Sequence, residues 1–227
     1  MYPVIFVTPV SKLTVSTKST TGECTDPCSG IDNCVTIVDS CQISPERSKK
    51  IASVTTSLNY KFAADVFCDH SMPLDNWKNI FHVTAGENSG SAGDRTFALW
   101  RNQIDNRLYF AVNNPYWGDG SHYIDHIDCV DGSWNTYSVT VNEVGFRGYL
   151  KYVASINDEA VADGSYHSKF AFTTGDLQVF VSDTWYDAAT AFSVRNFYYQ
   201  ILTSPKLSQA STSTSTITTT TSTIFIP

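Results

Sequence analysis

Six cysteines and a hydroxyl-rich end carry most of the chemistry that residue type and spacing announce in this 227-residue chain. Cys24, Cys28, Cys34 and Cys41 crowd into one stretch punctuated by Gly, Asp and Pro, while Cys68 and Cys129 sit in strand-like surroundings. An even count with a local cluster predicts three disulfides formed in an oxidising compartment, two inside the cluster and one joining Cys68 to Cys129. The rival reading is a four-cysteine zinc site, but the intervals of three, five and six intervening residues lack the paired C-x2-C knuckles of such sites. At the other end, Ser211, Thr212, Ser213, Thr214, Ser215, Thr216, Thr218, Thr219, Thr220, Thr221, Ser222 and Thr223 form a run interrupted only by Ile217. With no Asn-X-Ser/Thr sequon anywhere, covalent sugar is expected as O-linked glycans on this run, the plainer alternative being a flexible linker.

No catalytic pattern stands out in the sequence. Glycoside hydrolysis needs two carboxyl groups flanking the scissile bond, yet Glu23, Glu46, Glu87, Glu143 and Glu159 are scattered. There is no G-x-S-x-G elbow, phosphate-binding loop, H-E-x-x-H or EF-hand loop, so no enzyme and no cofactor are expected. The histidines, His70, His82, His122, His126 and His167, make no tight ligand pattern, and His122 with His126 reads as a hydrogen-bonded or surface pair. Asp94, Asp119, Asp183 and Asp187 offer hard oxygen ligands for Ca²⁺, although nothing in their spacing requires a metal. Asp94-Arg95 also reads as an ion pair holding a strand end.

Sugar binding needs aromatic faces for stacking and polar groups to orient hydroxyls. Two segments offer both: Tyr116-Trp117-Gly118-Asp119-Gly120, and Trp185-Tyr186 between Asp183 and Asp187. The competing reading makes Trp100, Trp134 and Trp185 packing residues.

A net charge of −7 argues against nucleic acid and anionic membrane surfaces as partners. No apolar stretch approaches the ~18–20 residues that span a bilayer, so membrane insertion is not expected. Residues 1–12 are a poor leader, because Pro3 and Pro9 bracket a short apolar run with no basic residue before it. The cysteines nevertheless point outward, so the chain is expected to be a processed form or a piece of an extracellular protein.

The elements that must position these residues are strands. Aromatic content of 13% with many Thr, Val and Tyr suits β-structure, and no helical period appears. Candidate strands are 2–8, 12–17, 52–58, 60–68, 78–84, 95–101, 107–113, 122–130, 134–142, 145–154, 159–162, 166–173, 177–182 and 193–202. Turn chemistry falls between them at Asp105-Asn106, Asp131-Gly132 and Asn157-Asp158. Many short strands so spaced predict an all-β sandwich or jelly roll. The expected organisation is an N-terminal strand segment (1–21), a cysteine-rich insert (22–48), the sandwich (49–205) and a Ser/Thr-rich tail (206–227).

Three ordered segments carry a family likeness. They are Trp77 to Thr84 followed by Gly93 to Trp100, then Trp134 opening a strand after Cys129, then Val179 to Ala189 continuing to Val194-Arg195-Asn196-Phe197. Over about residues 50–202 the chain resembles the concanavalin A-like, laminin-G-like jelly-roll domains of extracellular proteins. The resemblance implies a two-sheet sandwich, secretion, and adhesive or sugar-related roles more often than catalysis. A jelly roll with a glycosylatable tail also resembles, in architecture, the protomers of glycosylated extracellular fibrils.

Ordering a tail of this kind costs about 20–40 kcal/mol of backbone entropy at ~1–2 kcal/mol per residue. Burying Ile217, Ile224, Phe225 and Ile226 returns only about 6–12 kcal/mol. A fixed tail therefore needs a neighbouring molecule, which predicts a cell-surface filament built from copies of this chain. In it, Ile217, Ile224, Phe225 and Ile226, or Val4 and Phe6, dock as a strand on the next jelly roll in an open head-to-tail polymer. The alternative expectation is a secreted lectin-like module on a mucin-like stalk.

Overall fold

A computed structural model describes residues 24–55, 57–69, 71, 73, 75–86, 88, 93–102, 104, 107–113, 121–127, 130–144, 149–167 and 176–203. Within them the chain folds as two mainly antiparallel sheets packed face to face as an all-β sandwich, with no helix among the described residues. The first sheet runs β1 (Cys34–Val38), β13 (Ser193–Ile201), β3 (Tyr60–Phe67), β8 (Trp134–Val144), β9 (Tyr149–Ile156), β10 (Glu159–His167). The second runs β2 (Lys50–Thr55), β11 (Asp176–Phe180), β4 (Lys78–Thr84), β5 (Phe97–Arg101), β6 (Leu108–Asn113), β7 (Ser121–Ile127), with β12 (Asp187–Ala188) pairing β4 in parallel. Most strands thus pair with partners distant in sequence.

Alternation builds the core. In β3, Tyr60, Phe62, Ala64 and Val66 are buried while Lys61, Asp65 and Phe67 are half-buried, the period-two pattern of a sheet with one dry face. Aromatic rings bridge the layers: Phe97 of β5 stacks on Phe62 of β3 at 5.8 Å between centroids and meets Phe81 of β4 at 4.6 Å. Phe110 of β6 meets Tyr137 of β8 edge-on at 5.8 Å. β4 and β5 break the alternation, being buried at every position. Their outer face is therefore covered too, which is what makes a site there.

Asn157 and Asp158 take left-handed φ values of 50° and 65° between β9 and β10, as the right-handed strand twist requires of a two-residue hairpin loop. Gly132, at φ 71°, serves the turn before β8.

Two disulfides, Cys24–Cys41 and Cys28–Cys34, lie inside the cysteine cluster, and no cysteine in the described residues is free. Cys68 is also bridged; its expected partner Cys129 lies outside the described residues. Bridges of this kind form and persist in oxidising compartments. The zinc reading fails because the sulfurs are spent on each other. Cys24, Asp39 and Cys41 do lie close enough for a metal, but two of the three are bonded together.

The cysteine-rich stretch differs from the expected insert. It supplies β1, which pairs with β13, and Ile43 bridges Val194. Ile37 and Val38 enter the core, so the segment is a sandwich edge whose turns are stapled by the disulfides. The strands expected at 159–162 and 166–173 are, as far as the described residues reach, one strand, β10. The strands expected at 2–8 and 12–17, the Asp105-Asn106 turn and the tail lie outside the described residues.

Candidate functional site

The outer face of the seven-stranded sheet carries a second apolar cluster, separate from the core. Ala98, Trp100 and Ala111 are buried there, with Trp77, Tyr109 and Tyr186 half-buried around them. The pairings Ala98↔Ala111 and Trp100↔Tyr109 bring these side chains to one face of β5 and β6. Trp77 meets Tyr109 edge-on at 4.8 Å, and Tyr186 approaches Trp100 at 6.1 Å. Trp185, next in sequence to Tyr186, stands 38% exposed, its ring 5.6 Å from His82 and 6.5 Å from Phe180.

Trp185 and Tyr186 sit on the strap between β11 and β12, which is lashed down by backbone bonds. Val181 N–H donates to Lys49 O and Ser48 N–H donates to Asp183 O, both at 3.0 Å. Ala189 N–H donates to Asn79 O at 3.0 Å. Inside the strap, Asp183 Oδ1 accepts the backbone N–H of Trp185 at 3.0 Å and of Tyr186 at 2.9 Å. An aspartate that caps its own following turn in this way imposes the turn locally.

Behind the strap lies a buried polar network. His82 Nδ1 is 2.8 Å from Asp183 Oδ2, His82 Nε2 is 2.6 Å from the Asp94 carbonyl, and both side chains are fully buried. Asp183 N–H donates to Asn79 Oδ1 at 2.9 Å, and Asn79 Nδ2 donates to the carbonyls of Phe81 and Leu99, spanning the bulge where β4 pairs with β5. Both ring nitrogens of His82 are engaged and shielded, so the pair cannot take a proton from an incoming nucleophile as a hydrolase histidine does. Its work is structural.

A charged rim borders the aromatics. Lys78 Nζ lies 2.9 Å from Asp75 Oδ1 and 3.6 Å from Asp187 Oδ2, and Arg47 Nη1 lies 3.4 Å from Asp187 Oδ1. The Lys78 ammonium holds the exposed Asp75 carboxyl below its ordinary value. Arg101, fully buried, donates to Pro73 O at 3.1 Å; burial lowers its guanidinium from the ordinary value, and Asp75 partly offsets that.

Of the sugar-binding residues expected from sequence, Trp185 and Tyr186 are placed at this site, while Tyr116, Trp117 and Asp119 lie outside the described residues. So do the assembly residues Val4, Phe6, Ile217, Ile224, Phe225 and Ile226 and the whole Ser/Thr run. Of the calcium candidates, Asp183 has both carboxylate oxygens occupied and Asp187 is engaged by Arg47 and Lys78. Among the described residues these aspartates form no group that could hold an ion. Arg95 donates through Nε to Asn88 Oδ1 at 2.9 Å and its guanidinium lies 5.9 Å from the Trp100 ring. Trp100 is packing, as one reading had it, and Trp134 is stacked under Arg195 at 3.8 Å. The His82–Asp183 pair was missed. The available signal was a histidine between Phe81 and Val83 in an otherwise apolar strand.

No protein-family model and no curated protein matches the chain. Among solved structures it is similar to the receptor binding domain of botulinum neurotoxin D, at 11% identity and TM-score 0.44 over 76% of this chain and 50% of that one. It is also similar to the Caenorhabditis elegans galectin LEC-6, at 9% identity and TM-score 0.37 over 71% of this chain and 96% of that one. Sheep Galectin-11 is similar at 17% identity and TM-score 0.34, over 57% of this chain and 86% of that one. The chain spans about half the length of the toxin binding domains it matches. At these distances the function has to be read from the site itself.

Proposed function

We propose that this protein is a secreted carbohydrate-binding module whose ligand meets the outer face of the seven-stranded sheet. The observation that carries the reading is the partly exposed Trp185, held on a backbone-lashed strap next to Tyr186, which in turn approaches Trp100. Aromatic rings fixed in place offer apolar faces to the C–H faces of sugar rings without the entropy cost of ordering them on binding. Asp187, Asp75 and Arg47, partly exposed at the rim, supply hydrogen-bonding partners for hydroxyls. The carboxylates there are matched by Lys78 and Arg47 and the whole chain carries −7, so the ligand is a neutral glycan rather than an anionic one.

The test is an array of neutral and acidic oligosaccharides probed with the full chain and its Trp185→Ala variant. Binding of neutral glycans, lost in the variant, is expected. An array with no neutral glycan bound, or binding untouched by the substitution, overturns the proposal.

The head-to-tail filament is a second reading. In it an extended segment would add to β10 or β2, which stand at the ends of their sheets among the described strands. In this reading removal of residues 217–227 abolishes assembly, measured by sedimentation. In the lectin-like reading it changes nothing in the glycan array.

A further inference from the structure

We propose that His82 and Asp183 are a positioning pair, and that the placement of Trp185 and Tyr186 depends on a single proton shared between the imidazole and the carboxylate. The inference rests on the carbohydrate-binding reading for its purpose, but not for its physical content.

The proton count follows from the geometry. A carbonyl oxygen only accepts, so Nε2, 2.6 Å from the Asp94 carbonyl, carries a hydrogen. Nδ1 and Asp183 Oδ2, 2.8 Å apart, have room for one hydrogen between them. Asp183 Oδ1 is filled by the N–H groups of Trp185 and Tyr186, and the Asp183 N–H is held by Asn79. Remove the shared proton and two lone pairs face each other with no water between them. Add a second and two hydrogens compete for one line. Either change pushes Asp183 off His82, and Asp183 is the cap that sets the turn bearing both aromatics.

Among the described residues, rings and small side chains pack against the pair. β5 presents Ala98 and Trp100, the latter ring 5.2 Å from His82, and β11 presents Phe180 behind Trp185. The charged groups nearby are Arg95, beyond Trp100, the side chain of Asp94, and the Lys78–Asp75–Asp187 rim where β12 meets β4. None of the hydrogen bonds or ion pairs described for these groups reaches either carboxylate oxygen of Asp183.

The test follows the Trp185 indole N–H signal of the ligand-free full chain by proton–nitrogen NMR, assigned with Trp185→Phe. It compares the wild type with Asp183→Asn and Asp183→Ala at one neutral pH. In Asp183→Asn the amide supplies the single hydrogen to Nδ1 while its oxygen still accepts the two N–H groups, so the Trp185 signal should keep its wild-type position. In Asp183→Ala both the hydrogen and the cap are gone, and the signal should be displaced. A Trp185 signal undisplaced in Asp183→Ala, or displaced as far in Asp183→Asn as in Asp183→Ala, overturns the proposal. Because no glycan is present, the two readings fail separately. Displacement in Asp183→Ala alone with an empty array keeps the pair and removes the binding reading. Glycan binding with a Trp185 signal undisplaced in Asp183→Ala does the reverse.

Discussion

His82 Nδ1 lies 2.8 Å from Asp183 Oδ2 across 101 residues of chain, and neither side chain is exposed to solvent. The contact ties the centre of β4 to the strap that bears the exposed aromatics, so stability and the site share one set of hydrogen bonds.

Removing the carboxylate should be severe. Asp183→Ala leaves His82 Nδ1 and two strap N–H groups without their acceptor, and breaking a buried pair this way costs about 3–5 kcal/mol. Urea unfolding of the variant should show that loss at unchanged slope. A loss under about 1 kcal/mol would mean the strap holds itself without the pair.

Trp185 and Trp100 should separate cleanly. Trp185 is 38% exposed and Trp100 is 4% exposed. Trp100→Ala should destabilise by about 3–5 kcal/mol by opening a cavity, and Trp185→Ala by less than about 1.5 kcal/mol. Thermal unfolding of the two variants is the measurement, and equal losses would make Trp185 a packing residue.

Two buried phenols set the alkaline limit. Burial raises Tyr137 and Tyr199 above the ordinary tyrosine value, so both keep their protons in the folded state where the unfolded chain loses them. The folded state then binds more protons, and stability falls as pH rises past about 10. Tyr137→Phe should flatten that fall, and because its hydroxyl has no hydrogen-bond partner it should leave neutral-pH stability unchanged or higher. Tyr199→Phe should flatten it too, but lose about 1 kcal/mol at neutral pH with the bonds to Ser57 N–H and Thr55 O. Guanidinium unfolding at neutral and alkaline pH checks both signs.

Ser182, fully buried at the start of the strap, has φ 66° and a hydroxyl with no partner. Ser182→Gly should therefore gain about 1 kcal/mol, the relief of a left-handed backbone exceeding the extra chain entropy. A destabilised variant would show that the hydroxyl is held by something other than the groups described.

Gly164 in β10 lies under the ring of Tyr152, and a Cβ there would sit 2.6 Å from Tyr152 Cε1. Tyr152 is buried and cannot swing clear, so Gly164→Ala should cost about 1–3 kcal/mol. Tyr152→Leu in the same background should recover part of it, a coupling that a double-mutant cycle reads directly.

Local patterns carried much of the sandwich. Strands were expected at 60–68 and 134–142, where β3 and β8 form, and Asn157-Asp158 specified its hairpin. The cysteine cluster likewise announced bridges within itself. β1 was hidden, because five residues flanked by turns show too little period to read and only pairing with β13 makes them a strand. β12 has two residues and no period at all.

The site divides the same way. Residue type in the run Asp183-Thr184-Trp185-Tyr186-Asp187 was enough to mark a candidate segment, and its turn is a local event because the aspartate caps it. Which nitrogen that aspartate would meet, and that Trp100 would lie against both His82 and Tyr186, came only with the closed sheets. Periodicity along a strand says which residues share a face; it carries no information about which strand, a hundred residues away, will cover that face.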